Sequence, residues 1–183
     1  LADIGSWTGD MESNSGQHWD GTTTSNYYEQ TRSDWESSTW NRKKYTEITL
    51  HKGKYLLLGA GRASADVNAY MKVTSGSVSR DISIVSKGNT GKGIDVNGIA
   101  TSTDASASGT FSNNGNGGGW EYRYITFDVT ADNTAVTIEV GGSTTDHINK
   151  WMSFTTPLLR KSTDDNTSMA SLNVMDASLF HNW

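Results

Sequence analysis

The strongest pattern of apolar and polar positions lies in residues 40–63, WNRKKYTEITLHKGKYLLLGAGRA. In its first half Thr46, Ile48 and Leu50 share one parity, and Tyr45, Glu47 and Thr49 share the other. Alternation with period two predicts a half-buried strand with one wet face. Tyr55 to Ala60 is apolar on both parities. That predicts a strand deep in a sheet with both faces covered. His51-Lys52-Gly53-Lys54 reads as the turn between them, with Gly53 free to take positive φ. The two runs are therefore expected to form a central hairpin that the rest of the chain wraps.

Alternation continues along the chain. Ile4 to Thr8 and Asn26 to Thr31 read as short strands around polar loops. Val67 to Val73 sets Val67, Ala69, Met71 and Val73 against Asn68, Tyr70 and Lys72. Ser77 to Ser86 places Val78, Ile82 and Ile84 on one parity. In Trp120 to Thr130, Ile125, Phe127 and Val129 oppose Tyr124, Thr126 and Asp128. Asp132-Asn133 makes a turn into Thr134 to Gly141, with Val136, Ile138 and Val140 inward. His147 to Arg160 closes the series. Residues 87–119 form a long connection rich in Gly, Asn, Ser and Thr, with short apolar pieces at 94–99 and around Phe111. About nine or ten short strands without a convincing helix predict an all-β fold, an antiparallel β-sandwich or jelly roll. Residues 1–161 are expected to be one sandwich domain. Residues 162–183 are expected to be a C-terminal tail or linker, with a partner-binding helix as the alternative.

Composition narrows the function classes. The chain has 183 residues, of which 34% are hydrophobic, with 7 Trp, 7 Tyr and 4 Phe supplying much of the apolar area. That length supports one domain with a substantial core. The net charge of −5, without a basic block, argues against nucleic acid or an anionic membrane as partner. No apolar run approaches the about 20 residues of a membrane span. With no Cys there is neither a disulfide framework nor a thiolate site. The chain begins at Leu1 with neither Met nor a signal-peptide pattern, as a processed or trimmed chain would.

The order of motifs resembles a known family. A Trp-rich opening precedes YYEQ (27–30), then KYTEITLHKGKYLLLGAGRAS, GKGIDVNGIA (91–100), FSNNGNGGGWEYRYITFDVT (111–130) and KWMSFTTPLL (150–159). Over residues 4–160 this is similar to the galactose-binding-like jelly-roll modules of secreted bacterial glycan-degrading systems, particularly those of gut Bacteroidetes. The resemblance implies a non-catalytic carbohydrate-binding module, often beside a glycoside hydrolase, in a secreted, periplasmic or cell-surface protein. Some such modules hold a structural calcium between their first and last strands. Related modules often carry acidic residues in the closing strand, where this chain has Thr155-Thr156, so the resemblance leaves that metal open.

Sugar recognition needs a flat ring for the apolar C–H face and planar polar groups for the hydroxyls. Trp19, Trp35 and Trp40 lie in polar, loop-like sequence where strand periodicity does not demand them. Trp120 follows Gly117-Gly118-Gly119, with Asn113, Asn114 and Asn116 just before. Trp19, Trp35, Trp40, Asn114, Asn116 and Trp120 are therefore candidate ligand residues at one end of the sandwich. Trp120 and Trp151 also open apolar strands, which suits packing. Arg62 shares its parity with Leu56, Leu58 and Ala60. It either turns inward and needs a partner, for which Glu29 is the favoured choice, or emerges at the rim and forks onto ligand hydroxyls. The four His residues lack metal-ligand spacing, and GxSxG, HExxH, P-loop and EF-hand patterns are absent. A glycan-active enzyme with two facing carboxyls and a structural or protein-interaction sandwich domain stay as the alternative readings.

Overall fold

The computed structural model describes residues 6–14, 27–30, 39–64, 66–84, 95–96, 99–100, 121–145 and 150–161. They form thirteen strands and no helix. In chain order these are β1 (Thr8–Gly9), β2 (Glu12–Asn14), β3 (Tyr27–Gln30), β4 (Trp40–Leu50), β5 (Gly53–Ala63), β6 (Asn68–Ser75) and β7 (Val78–Ile84). Then follow β8 (Asp95–Val96), β9 (Ile99–Ala100), β10 (Glu121–Val129), β11 (Thr134–Thr144), β12 (Met152–Phe154) and β13 (Leu158–Lys161). One sheet runs β1-β4-β11-β6-β7; the other runs β10-β5-β12-β3-β2, with β13 also on β5. Strands β8 and β9 pair separately. Every pairing is antiparallel, and the architecture is an all-β sandwich of the jelly-roll type.

The inward residues are those that alternation selects. From the first sheet come Met71 and Val73 with Val136, Ile138 and Val140; from the second come Leu57, Ile125, Phe127, Met152 and Phe154. Tyr55 stacks on Phe127 with ring centroids 5.5 Å apart. Leu56 and Leu58, on the opposite parity of β5, are buried as well. The doubly apolar run is thus covered on both faces, as its pattern predicts. Val78 departs from expectation: it shares parity with Ile82 and Ile84 but is 57% exposed, because it starts an edge strand just after the Gly76-Ser77 turn. Gly76 takes φ +58° there and closes the β6–β7 hairpin.

The expected central hairpin is corrected. Strands β4 and β5 follow each other across His51-Lys52 but do not pair. The turn is an arch that carries the chain from one sheet to the other, and residues 130–133 do the same between β10 and β11. Alternation assigns the buried face of each strand but not its neighbour, so the same pattern fits either arrangement. The two arches are tied together: the Lys52 N–H donates to Asp132 Oδ1 at 2.8 Å, and His51 Nδ1 lies 3.5 Å from the same oxygen. That backbone donor is the main reason the Asp132 carboxyl titrates below its usual range.

Strands β12 and β13 occupy one edge of β5 in succession. Phe154 stands opposite Gly61 and Leu158 opposite Leu58. Thr155, Thr156 and Pro157 therefore face only Gly59 and Ala60, a bulge whose proline has no N–H to give the ladder. The last described strand ends at Lys161. The expected tail, 162–183, lies outside the described residues, as do residues 4–5 of the expected first strand.

Candidate functional site

The face of the first sheet that points away from the core carries the polar parity of four strands. Register sets it out in rows. Lys43, Gly141, Tyr70 and Ser83 form one row across β4, β11, β6 and β7. Tyr45, Glu139, Lys72 and Asp81 form the next. Cross-strand neighbours on one face stand about 4.5–5.5 Å apart, close enough for side chains to engage.

Tyr70 is the fixed aromatic of this face. Its hydroxyl donates to Glu139 Oε1 at 2.5 Å, and Lys43 Nζ donates to Glu139 Oε2 at 3.2 Å. Both oxygens of Glu139 are thus engaged. The phenol reaches from β6 across to β11, where its register neighbour is Gly141. A Cβ built on Gly141 would lie 3.0 Å from the Tyr70 hydroxyl, 2.9 Å from Lys43 Cβ and 2.6 Å from the Arg42 carbonyl oxygen. The missing side chain at position 141 is what lets the phenol settle there. Lys43 also stands over the Tyr45 ring, 5.4 Å from its centroid, so a cation already covers one side of that ring.

Beside Tyr70 the face opens into a groove of about 600 Å³ along β6 and β7. Asn68, Tyr70 and Lys72 line one side; Ser79, Asp81 and Ser83 line the other. Such a volume is in the range of small-ligand sites. The lining combines an anchored ring with an amide, two hydroxyls, an ammonium and a carboxylate, which can bond the donors and acceptors of a polyol.

The environment of Tyr70 has a titration consequence. Burial first, then the hydrogen bond to Glu139 and its negative charge, hold the Tyr70 proton far above the ordinary phenol range. A raised folded value means that the stability from this group is complete below the unfolded phenol value of about pH 10 and is lost as pH rises above it. Tyr70→Phe should therefore lose less stability than the parent between about pH 9 and 11. Burial also raises Tyr28 and Tyr55, but both remain in the variant. Melting temperatures followed across that range check it; parallel curves for the two proteins would mean that the fold does not raise the Tyr70 phenol.

The residues expected from sequence fall differently. Trp40 is not in a rim loop: it begins β4, is 5% exposed and belongs to the hydrophobic core. Its indole N–H is buried and finds no acceptor among the described residues. Arg62 is 1% exposed, so the rim alternative is corrected. It stands in a row with Ser153 and Glu29 across β5, β12 and β3. The Ser153 hydroxyl donates to Glu29 Oε1 at 3.1 Å, and the guanidinium lies 5.5 Å from the Trp151 ring centroid. Neither Trp40 nor Arg62 offers a ligand an open surface. Trp19, Trp35, Asn114, Asn116 and Trp120 lie outside the described residues. Among the described residues no group of three or more His, Asp or Glu side chains could hold a metal ion. The groove was missed from sequence, although Tyr70 on the wet parity of its strand was a visible signal.

No protein-family model matches the chain, and no curated protein matches it in sequence. Among solved structures it is similar to TmCBM61 in complex with β-1,4-galactotriose, at 10% identity and a TM-score of 0.51, over 85% of this chain and 88% of that one. It is also similar to the enzymatically active domain of bacteriophage CBA120 tailspike protein 4, at 9% identity and a TM-score of 0.50, over 87% of this chain and 20% of that one. A family 16 carbohydrate-binding module aligns over 81% of this chain and 85% of its own, at 9% identity and a TM-score of 0.43. At these identities the likeness to the first two structures establishes a shared sandwich fold, and the ligand has to be argued from the residues of this chain.

Proposed function

We propose that this domain is a non-catalytic carbohydrate-binding module and that its glycan lies in the groove along β6 and β7. The observation that carries the reading is the Tyr70 ring, tied to Glu139 and bordering a groove lined by Asn68, Lys72, Ser79, Asp81 and Ser83. A sugar needs an aromatic surface for its C–H face and short polar side chains for its hydroxyls, and this groove supplies both. Trp19, Trp35, Asn114, Asn116 and Trp120 remain candidate ligand residues within this proposal. The sandwich shared with carbohydrate-binding modules supports the same reading. A place beside a glycoside hydrolase, in a secreted, periplasmic or cell-surface protein, belongs to this proposal.

The test is calorimetric titration of soluble plant and host oligosaccharides, β-1,4-galactan fragments included. Tyr70→Ala should weaken binding by about 0.5–1.5 kcal/mol beyond the area that the ring buries. A Tyr70→Ala protein that folds normally and binds as the parent does would move the site away from this groove. Shortening of the oligosaccharide during the titration would favour the enzymatic alternative.

A further inference from the structure

Resting on the carbohydrate reading of the groove, we infer that Lys72 and Asp81 act together as its specificity pair and select a neutral sugar ring. They are direct register neighbours on β6 and β7, in the row next to Tyr70. Both line the groove. A Lys and an Asp at opposite cross-strand positions would ordinarily close on one another. Here neither makes an ion pair or a hydrogen bond among the described residues. The other carboxylate beside Lys72, that of Glu139, already has both oxygens engaged by Tyr70 and Lys43. The groove therefore holds one unbridged ammonium, which only donates, next to one unbridged carboxylate, which only accepts.

Two adjacent hydroxyls of a sugar match that pair. One accepts from Lys72 and the other donates to Asp81, and both bonds are charge-assisted. A uronate suits the pair poorly. Its carboxylate would gain Lys72 but would face Asp81 and Glu139, the register neighbours of Lys72 on either side. An amino sugar would gain Asp81 and meet Lys72 and Lys43. The side chains flanking Tyr70 thus balance in sign and favour a ligand without charge.

The experiment titrates the parent, Lys72→Met, Asp81→Ala and Tyr70→Ala with neutral galactan, cellulose and xylan oligosaccharides and with oligogalacturonate. Among the described residues Lys72 and Asp81 hold nothing else together, so melting curves of their variants should overlay the parent. The parent should bind a neutral oligosaccharide in preference to oligogalacturonate. Lys72→Met and Asp81→Ala should each weaken it by about tenfold, the loss typical of one charge-assisted hydrogen bond. Asp81→Ala should also narrow the preference over oligogalacturonate. If Tyr70→Ala weakens binding while both charge variants bind as the parent does, the groove holds sugar but the pair does not select it. Stronger binding of oligogalacturonate by the parent overturns the pair's role in the same way. Indifference of all three variants, or no binding by the parent, overturns the carbohydrate reading of the groove and this inference with it.

Discussion

Truncating Leu57 to alanine is expected to lower the free energy of unfolding by about 2–5 kcal/mol. Leu57 has no exposed surface. Its strand has partners on both edges, and its own register neighbours are Ile125 on β10 and Leu159 on β13. The residues that would have to collapse into the vacated space are held in two ladders, so the cavity can relax only in part. Urea unfolding measures the loss, with the midpoint falling at unchanged slope. A shift of only a few tenths of a kcal/mol would remove β5 from the centre of the fold.

Gly141→Ala couples stability to the site. A glycine-to-alanine change at a compatible position stabilises a protein by about 0.4–1 kcal/mol, because the unfolded chain loses freedom. At position 141 the sign should reverse. The added methyl would sit 2.6 Å from the Arg42 carbonyl oxygen, which is backbone and cannot swing away. It would also press on Lys43 Cβ and the Tyr70 hydroxyl. Overpacking of this kind costs about 1–3 kcal/mol. Because the phenol must lift, oligosaccharide affinity should fall along with stability, toward that of Tyr70→Ala. Calorimetric melting and the same sugar titration test both halves. An alanine variant more stable than the parent, binding normally, would contradict the placement of Tyr70 over β11.

Legibility varied with the range of the interaction. The inward positions of β4, β10 and β11 could be read directly, since parity alone assigns Ile48, Phe127 or Ile138 to one face. The cover on both faces of β5 was equally plain in Tyr55 to Leu58. The hairpin failed because a two-residue turn looks the same whether it folds a chain back within a sheet or arches it into another. Trp40 misled because its neighbours are polar, yet the register that buries it pairs it with Thr144, more than a hundred residues away in sequence. The groove needed the same long-range knowledge. Tyr70 on a wet parity is unremarkable until Gly141 and Glu139 are known to lie on the next strand.

The sequence alone determined the class of the fold and the inward face of most of its alternating strands, because alternation is a local property that the backbone's period of two enforces wherever a strand forms. Tertiary structure decided which strands lie side by side, and through that the two arches, the burial of Arg62 and the Tyr70–Glu139–Lys43 contact. Register is set by the fit of whole faces against one another, not by any one segment, so side chains distant in sequence become a site only when the sheets have closed.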